Sequence, residues 1–519
     1  MYKKILPLLL FTAIAFTGKG QANMPLDRDF LLPYQSSFNS TSCNVFTSIM
    51  PYDAQKTQQA LSHDTLTSYK DLIFNGSPMF SVGSFNANIF PLAGGSGGYD
   101  VYGKSTTYDY SGGLHIDGKL GNKFSFSGSY LAGVVYGPSF MDSIIERYKV
   151  VPGLGYAYGS PQTGYSYQYW DGYLSYNLTN NFNFQIGKGK QFLGDGYRSL
   201  FLSDVSTSYP YFKITATFSK IEFVSLFTMM QDAETTTGLT ANFYTKYSSF
   251  HYLTWNVSHR LNISLFEAIT YDGDSGKYVR GPDPGYLNPI LFYQAYNYNI
   301  GDPDKSNLGA AFKLKVAKKE QFYGQLLIDE FKLQNVIHHT EWWGNKQGVQ
   351  LGFKAFDLFS IKNLSFQTEV DYVRPYTYTA RDPLQNYSNF NQPLGDPEGA
   401  NFIESASFLT YYHKNFLIQA SAVCYYYGAD SAHTDYGQNI FINYNRHPYD
   451  YGNYVGQGIP TYINTFCLKT DFIISPKMSL KAELAIYECF EDINGTYYSY
   501  PYITLGVRTS LGNLYNDFR

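Results

Sequence analysis

Runs of about ten residues that alternate strictly between apolar and polar, each closed by a turn, recur along most of the chain. In 211–219 (YFKITATFS) Phe212, Ile214, Ala216 and Phe218 share one face, and Lys213, Thr215, Thr217 and Ser219 the other. In 363–372 Leu364, Phe366, Val370 and Tyr372 oppose Ser365, Gln367, Glu369 and Asp371. In 478–487 Met478, Leu480, Ala482, Leu484 and Ile486 oppose Ser479, Lys481, Glu483 and Tyr487, and 310–316, 322–329 and 349–356 follow suit. A period of two with one wholly apolar face makes each run a half-exposed β-strand.

Two architectures yield that alternation: soluble sandwiches whose polar faces meet water, and a membrane barrel whose apolar faces meet lipid. Composition separates them. The chain of 519 residues carries 52 Tyr, 40 Phe and 4 Trp, and only 15% of it is charged. A water-facing surface needs more charge than that, whereas an outer-membrane barrel needs aromatic girdles at both ends of its lipid-facing band. Tyr165, Tyr167, Tyr169 and Trp170, then Tyr411 and Tyr412, Tyr425 to Tyr427, and Tyr497, Tyr498, Tyr500 and Tyr502 cluster at strand ends, where girdles belong. The fold class expected is all-β: a transmembrane antiparallel β-barrel of about 16–18 strands with short N-terminal or periplasmic helices.

The N-terminus indicates export. Lys3 and Lys4 precede an apolar stretch, Ile5 to Phe16, and small or polar residues run on to Ala22, the layout of a cleavable signal peptide. The expected organisation is a signal peptide at 1–22, a partly helical periplasmic or plug segment at 23–79, and the barrel at 80–519. Within the second, 51–75 reads as helix; within the barrel, 141–150 (MDSIIERYKV) is a further helical candidate, with Ser139 and Asp142 near its start. Polar segments 377–400 and 428–460 are too long for tight turns and belong outside the cell or folded inward. The closing run 502–508 (YITLGVR), near a terminal Phe518, suits recognition by a barrel-insertion machine. The location expected is the outer membrane of a Gram-negative bacterium.

Cys43, Cys424, Cys467 and Cys489 are too sparse for a disulfide framework and have no metal-site spacing, so they read as small apolar fillers or at most one bridge. A formal charge of -4 offers no basic field for nucleic acid. Asp272-Gly273-Asp274 and Asp302-Pro303-Asp304 do not continue as calcium loops, no Gly-x-Ser-x-Gly elbow occurs in a strand-turn-helix setting, and His251 and His259 read as polar rim. No enzyme, no metal and no cofactor is expected. Lys213, Glu369, Asp371, Lys481, Glu483 and Arg508 point inward and are expected to neutralise one another in a blocked or narrowed lumen.

Particular residues also resemble a family. The stretch 187–204 (GKGKQFLGDGYRSLFLSD), ending in Tyr209-Pro210-Tyr211, is followed in order by 286–293 (YLNPILFY), 324–331 (GQLLIDEF), 373–378 (VRPYTY), Asn391-Gln392-Pro393-Leu394-Gly395 and Gly399-Ala400-Asn401. Together, from about residue 40 to the end, they resemble the outer-membrane capsule-assembly Wzi family, including members described as gliding motility protein RemB. The chain departs from that pattern at Gln294 and Asn297, where a basic and then an acidic residue would stand, and at Asp396 in place of a His. The resemblance implies a lectin-like barrel of about eighteen strands that attaches or organises surface polysaccharide, with adhesion or gliding as related roles.

Sugar binding needs flat aromatic faces, amides, carboxylates and Arg. The candidates are Asp195, Tyr197 and Arg198 in the Gly194–Arg198 turn, and Arg374, Tyr378, Arg381, Asn391, Gln392 and Asn401 around the 377–401 loop, which also holds Asp382, Gln385, Asn386 and Tyr387. The plainer readings are a tight turn closed by an Asp195–Arg198 pair, and a solvated loop. Trp342 and Trp343 read as a girdle or as an exposed stacking platform. Two other functions stay open beside polysaccharide binding: a porin-like diffusion channel, and an accessory of a surface export machine. The expected partners are outer-membrane lipid and surface polysaccharide.

Overall fold

The computed structural model describes residues 22–60 without 42 and 44, 79–233, 243–274, 280–289, 293, 304–475, 478–510, 512–515 and 517. The leader, the second part of the 51–75 helix, positions 294 and 297 and Phe518 lie outside them.

Eighteen long strands run in chain order: β1 (Phe85–Asp100), β2 (Ser105–Leu120), β3 (Phe124–Tyr136), β4 (Gly164–Asn177), β5 (Phe182–Gly189), β6 (Tyr209–Phe218), β7 (Ile221–Asp232), β8 (Tyr244–Asn256) and β9 (Leu261–Asp274). They continue as β10 (Lys305–Lys315), β11 (Glu320–Glu330), β12 (Lys346–Phe356), β13 (Leu364–Val373), β14 (Phe402–His413), β15 (Phe416–Ala429), β16 (Ile459–Ser475), β17 (Leu480–Ile493) and β18 (Thr496–Thr509). Each pairs antiparallel with the next, and β18 closes on β1 with Ile503 opposite Tyr99. Closure leaves no open edge, the condition for strands to cross hydrocarbon. The chain is an outer-membrane β-barrel.

The faces are inside out relative to a soluble protein. On β12, Leu351 is 57% exposed while its neighbour Gln350 is 0% exposed. On β6, Phe212 and Phe218 face outward, while Lys213 and Thr215 are buried in the lumen. One end of the barrel has tight turns such as 121–123, 219–220 and 414–415; the other carries 137–163, 190–208, 374–401 and 430–458. Short turns are periplasmic and long segments extracellular, so β1 begins and β18 ends on the periplasmic side. Girdle rings differ between the ends. Phe182 and Phe218, 5.3 Å between centroids, and Phe416 and Phe472, 4.9 Å, mark the periplasmic belt. Tyr108 and Tyr136, 4.2 Å, and Tyr426 and Tyr462, 4.6 Å, mark the extracellular one.

Not all tyrosines serve the girdles. Of the 165–170 cluster only Trp170 faces outward; Tyr165, Tyr167 and Tyr169 are buried inside, as are Tyr412 and Tyr425. Tyr209, Tyr252, Tyr271, Tyr323, Tyr376, Tyr378 and Tyr387 are among the largest fully buried side chains. The physical reason is that this lumen is filled with protein. A filled polar lumen requires rings that occupy volume and end in a hydroxyl able to meet the polar wall.

Helix α1 (Arg28–Phe38) fills the periplasmic half. Asp27 caps it, accepting from the Asp29 and Phe30 amides at 2.9 and 3.4 Å. Phe30, Leu31, Tyr34 and Phe38 pack with Met50, Tyr52 and Phe192. The surrounding segment touches the wall on all sides: Asn23 N–H donates to the Tyr173 hydroxyl on β4 (2.8 Å), Lys56 pairs with Glu222 on β7 (3.0 Å), Lys315 on β10 donates to the Phe38 carbonyl (2.8 Å), and Asp29 pairs with Lys469 and Lys481 on β16 and β17. Helix α2 (Ala54–Ala60) follows, and α3 (Ser139–Tyr148) lies in the first long extracellular segment. The latter begins before Met141 and has Pro138 at its N-cap, with no side-chain cap from Ser139 or Asp142. All four cysteines are free thiols.

Candidate functional site

The 190–208 segment enters the lumen from the extracellular end and descends to the N-terminal plug. Phe192 and Leu193 pair with Met50 and Ile49, and the Gly194 amide donates to the Ser48 carbonyl at 2.9 Å. Inward amides hold the turn that follows: Gln325 on β11 accepts from the Leu200 amide at 2.8 Å, and Gln350 on β12 donates to the Arg198 carbonyl at 3.2 Å. A Cβ at Gly196 would sit 2.6 Å from that carbonyl and 2.9 Å from Glu369, so only glycine permits this approach.

The expected Asp195–Arg198 pair does not form. Asp195 turns to Thr47, accepting at 2.5 Å, and to Lys313 at 3.3 Å. Arg198 instead grips Glu404 on β14 and reaches Asp517 at 3.3 Å. The backbone amides of Tyr197 and Arg198 both donate to Glu369 at 2.7 Å, and Tyr323 donates to the same carboxylate at 2.6 Å. The other inward charges neutralise one another only in part. Lys481, Glu483 and Arg508 form a chain of contacts at 3.2 and 3.0 Å, whereas Lys213 is satisfied by the Gln191 amide oxygen at 3.0 Å.

The 374–401 loop folds inward too. Tyr378 is 0% exposed and donates to the Leu200 carbonyl at 2.8 Å. Asn401 fastens the Gly428 and Gln457 carbonyls at 2.8 and 2.9 Å; Asn391 donates to the Tyr148 carbonyl at 2.9 Å; Gln392 accepts from the Gly153 amide at 2.8 Å. Arg374 donates to the Asn345 and Asn453 carbonyls at 2.8 and 3.1 Å. Of the nine candidates Arg381 alone is exposed; Asp195, Tyr197 and Arg198 come together in the lumen, and the rest hold extracellular segments to one another. The reading of 377–401 as a solvated loop is therefore corrected: its polar side chains are consumed in tying it down.

His251 is also reassigned. It sits inside the barrel on β8, 3.5 Å from Glu267, with its ring 4.0 Å from that of Tyr293, while His259 is exposed in a periplasmic turn.

After β18 the chain does not stop at the wall but turns back inside. The Asn513 amide donates to the Leu26 carbonyl at 2.9 Å, Asn513 Nδ2 and the Tyr515 hydroxyl donate to Asp204 at 2.7 and 2.5 Å, and the Tyr197 hydroxyl donates to Asp517 at 2.7 Å. Arg28 lies over the rings of Tyr197 and Tyr515 at 4.7 and 5.1 Å. No periodicity announces this re-entry; the non-alternating end from Asn513 to Asp517 is its only trace in the sequence.

Two voids flank the tail. One, of about 230 Å³, begins under the extracellular segment at Gly137, Phe140 and Pro152 and runs along Gly94, Ser96, Ser111, Thr504 and Gly506. The other, of about 140 Å³, extends past Arg28 and Gln35 to Phe356 and Ser365 at the periplasmic strand ends. Both are lined by Lys469, Tyr487, Arg508, Ser510 and Asn513, so they abut. Glycine and serine on the inner faces of β1, β2 and β18 leave this strip of wall clear. Lys190 reaches the first void, its ammonium pulled down to about 8 by burial against the opposing pull of Asp204 and Asp171.

Beside Arg198 lies a set of acids that only partly emerged from the sequence. Asp371 on β13 and Glu404 on β14 are cross-strand partners, and Asp396 and Glu398 come down from the loop. Burial, and then Glu404, push the Asp396 carboxyl well above the usual range, and Glu398 is raised in the same way. Asp396 is thus part of a buried acid cluster.

At the extracellular rim Trp343 stacks on His447 at 4.2 Å and contacts Tyr444 at 5.0 Å, with Lys346 4.8 Å above its ring. Tyr449, Tyr451 and Tyr454 project beside them, 57–66% exposed.

No protein-family model matches the chain, and no curated protein matches it. Among solved structures it is similar to Pseudomonas aeruginosa OprD (8% identity, TM-score 0.42, 81% of this chain and 94% of that one). It is also similar to the outer membrane protein opdK from Pseudomonas aeruginosa (8%, 0.44, 81% and 97%) and to Acinetobacter baumannii OccAB2 (10%, 0.43, 82% and 98%). None of these likenesses assigns a role to a residue here.

Proposed function

We propose that the barrel is a narrow, internally constricted passage for small polar solutes across the outer membrane. The observation that carries this reading is the pair of abutting voids, one against β1 to β3 and β16 to β18 and the other against β12 to β18, which together reach from the extracellular segment to the periplasmic strand ends. A barrel serving only as scaffold has no need of a wall stripped to Gly94, Ser96, Ser111 and Gly506. Lys469 and Arg508 line both voids and Glu483 the first, so both signs of charge face the passage, which suits polar solutes that carry both donors and acceptors. The purified chain in planar bilayers is expected to give small, discrete conductance steps that Ser96→Trp reduces; a silent wild-type barrel under both polarities removes the reading.

A second reading, binding of surface polysaccharide, rests on the rim. Tyr449, Tyr451 and Tyr454 offer flat faces on the extracellular side, with Arg381 exposed at the same end, and sugar rings stack on such faces. Among the nine candidate residues this reading now rests on Arg381, the exposed one. Retention of acidic polysaccharide by the immobilised protein, reduced by Tyr449→Ala and Tyr451→Ala, supports it; equal retention by all three proteins removes it.

A further inference from the structure

The acids beside Arg198 are arranged in a way that packing alone leaves unsatisfied. Asp371 and Glu404 face each other across β13 and β14, both 0% exposed, and like charges directly opposite destabilise a sheet. Asp396, also 0% exposed, is lowered onto them, so that one carboxylate oxygen from each of the three lies within 4.8 Å of the others.

The donors do not suffice. Arg198 covers Glu404, Gln350 Nε2 covers one oxygen of Asp371 at 2.9 Å, and the Glu398 amide covers one oxygen of Asp396 at 3.0 Å. Asp371 Oδ2, Asp396 Oδ2, Glu398 Oε1 and Gln350 Oε1 are buried and have no hydrogen-bond partner among the described residues. Leaving a buried acceptor unpaired costs about 1–3 kcal/mol, and more for a charged one. Several uncompensated oxygens beside one another need either shared protons or a positive ion.

The spacing favours the ion. Oxygens on opposite sides of one calcium, each about 2.3–2.6 Å from it, are at most about 5 Å apart. Acid oxygens supply hard ligands, and a dry, crowded cavity disfavours magnesium, which keeps several of its waters. Arg198 does not replace such an ion, because its guanidinium is already spent on Glu404 and Asp517.

We infer that Asp371, Asp396 and Glu404 form a buried site for a hard divalent cation, calcium by preference, that staples the inward 374–401 loop to β13 and β14. The site requires neither solute passage nor sugar binding, so it stands or falls apart from both. The ion enters as the loop docks during folding, since the acids are closed off afterwards.

The test uses the full chain, purified in detergent free of lipopolysaccharide. The protein is refolded with calcium or with chelator, passed over chelating resin, and its metal content measured by mass spectrometry. About one calcium per chain is expected in the first sample, with a higher temperature for loss of the compact form on gels. Asp396→Asn is expected to lose the bound calcium and the temperature difference together. Wild-type protein that retains no calcium overturns the site, as does calcium retained equally by Asp396→Asn, which places the ion elsewhere. An Asp396→Asn chain as stable as wild type, with no metal in either, assigns the acids to shared protons. Should that variant fail to fold, the metal content of the wild-type chain decides alone.

Discussion

Arg198 and Glu404 meet wholly inside the barrel, with Nη2 2.8 Å from Oε1 and Nε 3.1 Å from Oε2, and neither side chain is exposed. One residue belongs to a segment folded in from the extracellular end and the other to the wall, so this two-point contact fixes the depth of the inward segment. Lysine cannot reproduce the fork geometry.

Breaking the pair from one side leaves a buried carboxylate among other carboxylates. Arg198→Met is therefore expected to cost about 3–5 kcal/mol, read as a lower temperature for loss of the compact form on gels. Arg198→Met with Glu404→Met removes both charges, and recovery of much of that loss is expected when wild type and both variants are compared in chelator, where Glu404 has no cation to hold. A single variant as stable as wild type would show that the pair is not what holds the segment.

The barrel was legible because lipid and lumen impose a period of two on every strand: Phe212 against Lys213 and Leu484 against Glu483 already state which face is which. The filling was not. Whether Tyr167 lies in a girdle or in the lumen depends on one residue of register, and alternation in an aromatic-rich run such as 165–170 does not fix it. The lumenal partners likewise come from distant segments. Arg198 and Glu404 lie 206 positions apart, and Asp195 finds Lys313 rather than the Arg three residues on. Local spacing favours the near pair, but the turn around Gly196 points the two side chains to different strands.

The C-terminal tail separates the two voids and is held by Asp204, which accepts from both Asn513 and Tyr515. Asp204→Ala removes both bonds while leaving the wall intact. The expected outcome is a larger and noisier conductance in planar bilayers, with the compact gel form retained. Unchanged conductance would place the constriction elsewhere than at the tail.

Asp435, in the extracellular 430–458 segment, is 1% exposed, with one oxygen bonded to the Gly437 amide at 2.8 Å and the other without a partner among the described residues. Burial and then Asp430 push its carboxyl up to about 7, against the pull of Arg446 and His447. A folded value above the unfolded one near 4 means that its contribution is fully present below pH 4 and lost as pH rises through about 7. Hydrogen exchange in this segment is expected to quicken between pH 5 and pH 8, and Asp435→Asn to flatten that rise by on the order of 2 kcal/mol. An equal pH dependence in the variant would assign it to other groups.

Asp29 has the opposite sign. Burial alone would raise its carboxyl, but Lys469 at 2.7 Å and Lys481 at 2.6 Å overcome that and hold it well below the usual range. Its contribution is thus present above the unfolded value near 4 and lost only as pH falls through the lower folded value. At neutral pH the latch between α1 and the β16–β17 wall is fully engaged, and Asp29→Asn is expected to loosen it by about 2–3 kcal/mol. The rest of the barrel does not depend on it, so the global gel transition should move little. The N-terminal segment, in contrast, should become open to protease at pH 7 in the variant, and in wild type only in acid well below the ordinary carboxylate range. Asp29→Asn with Lys481→Met removes the surplus positive charge and should restore part of the protection; without that restoration, the latch is not electrostatic.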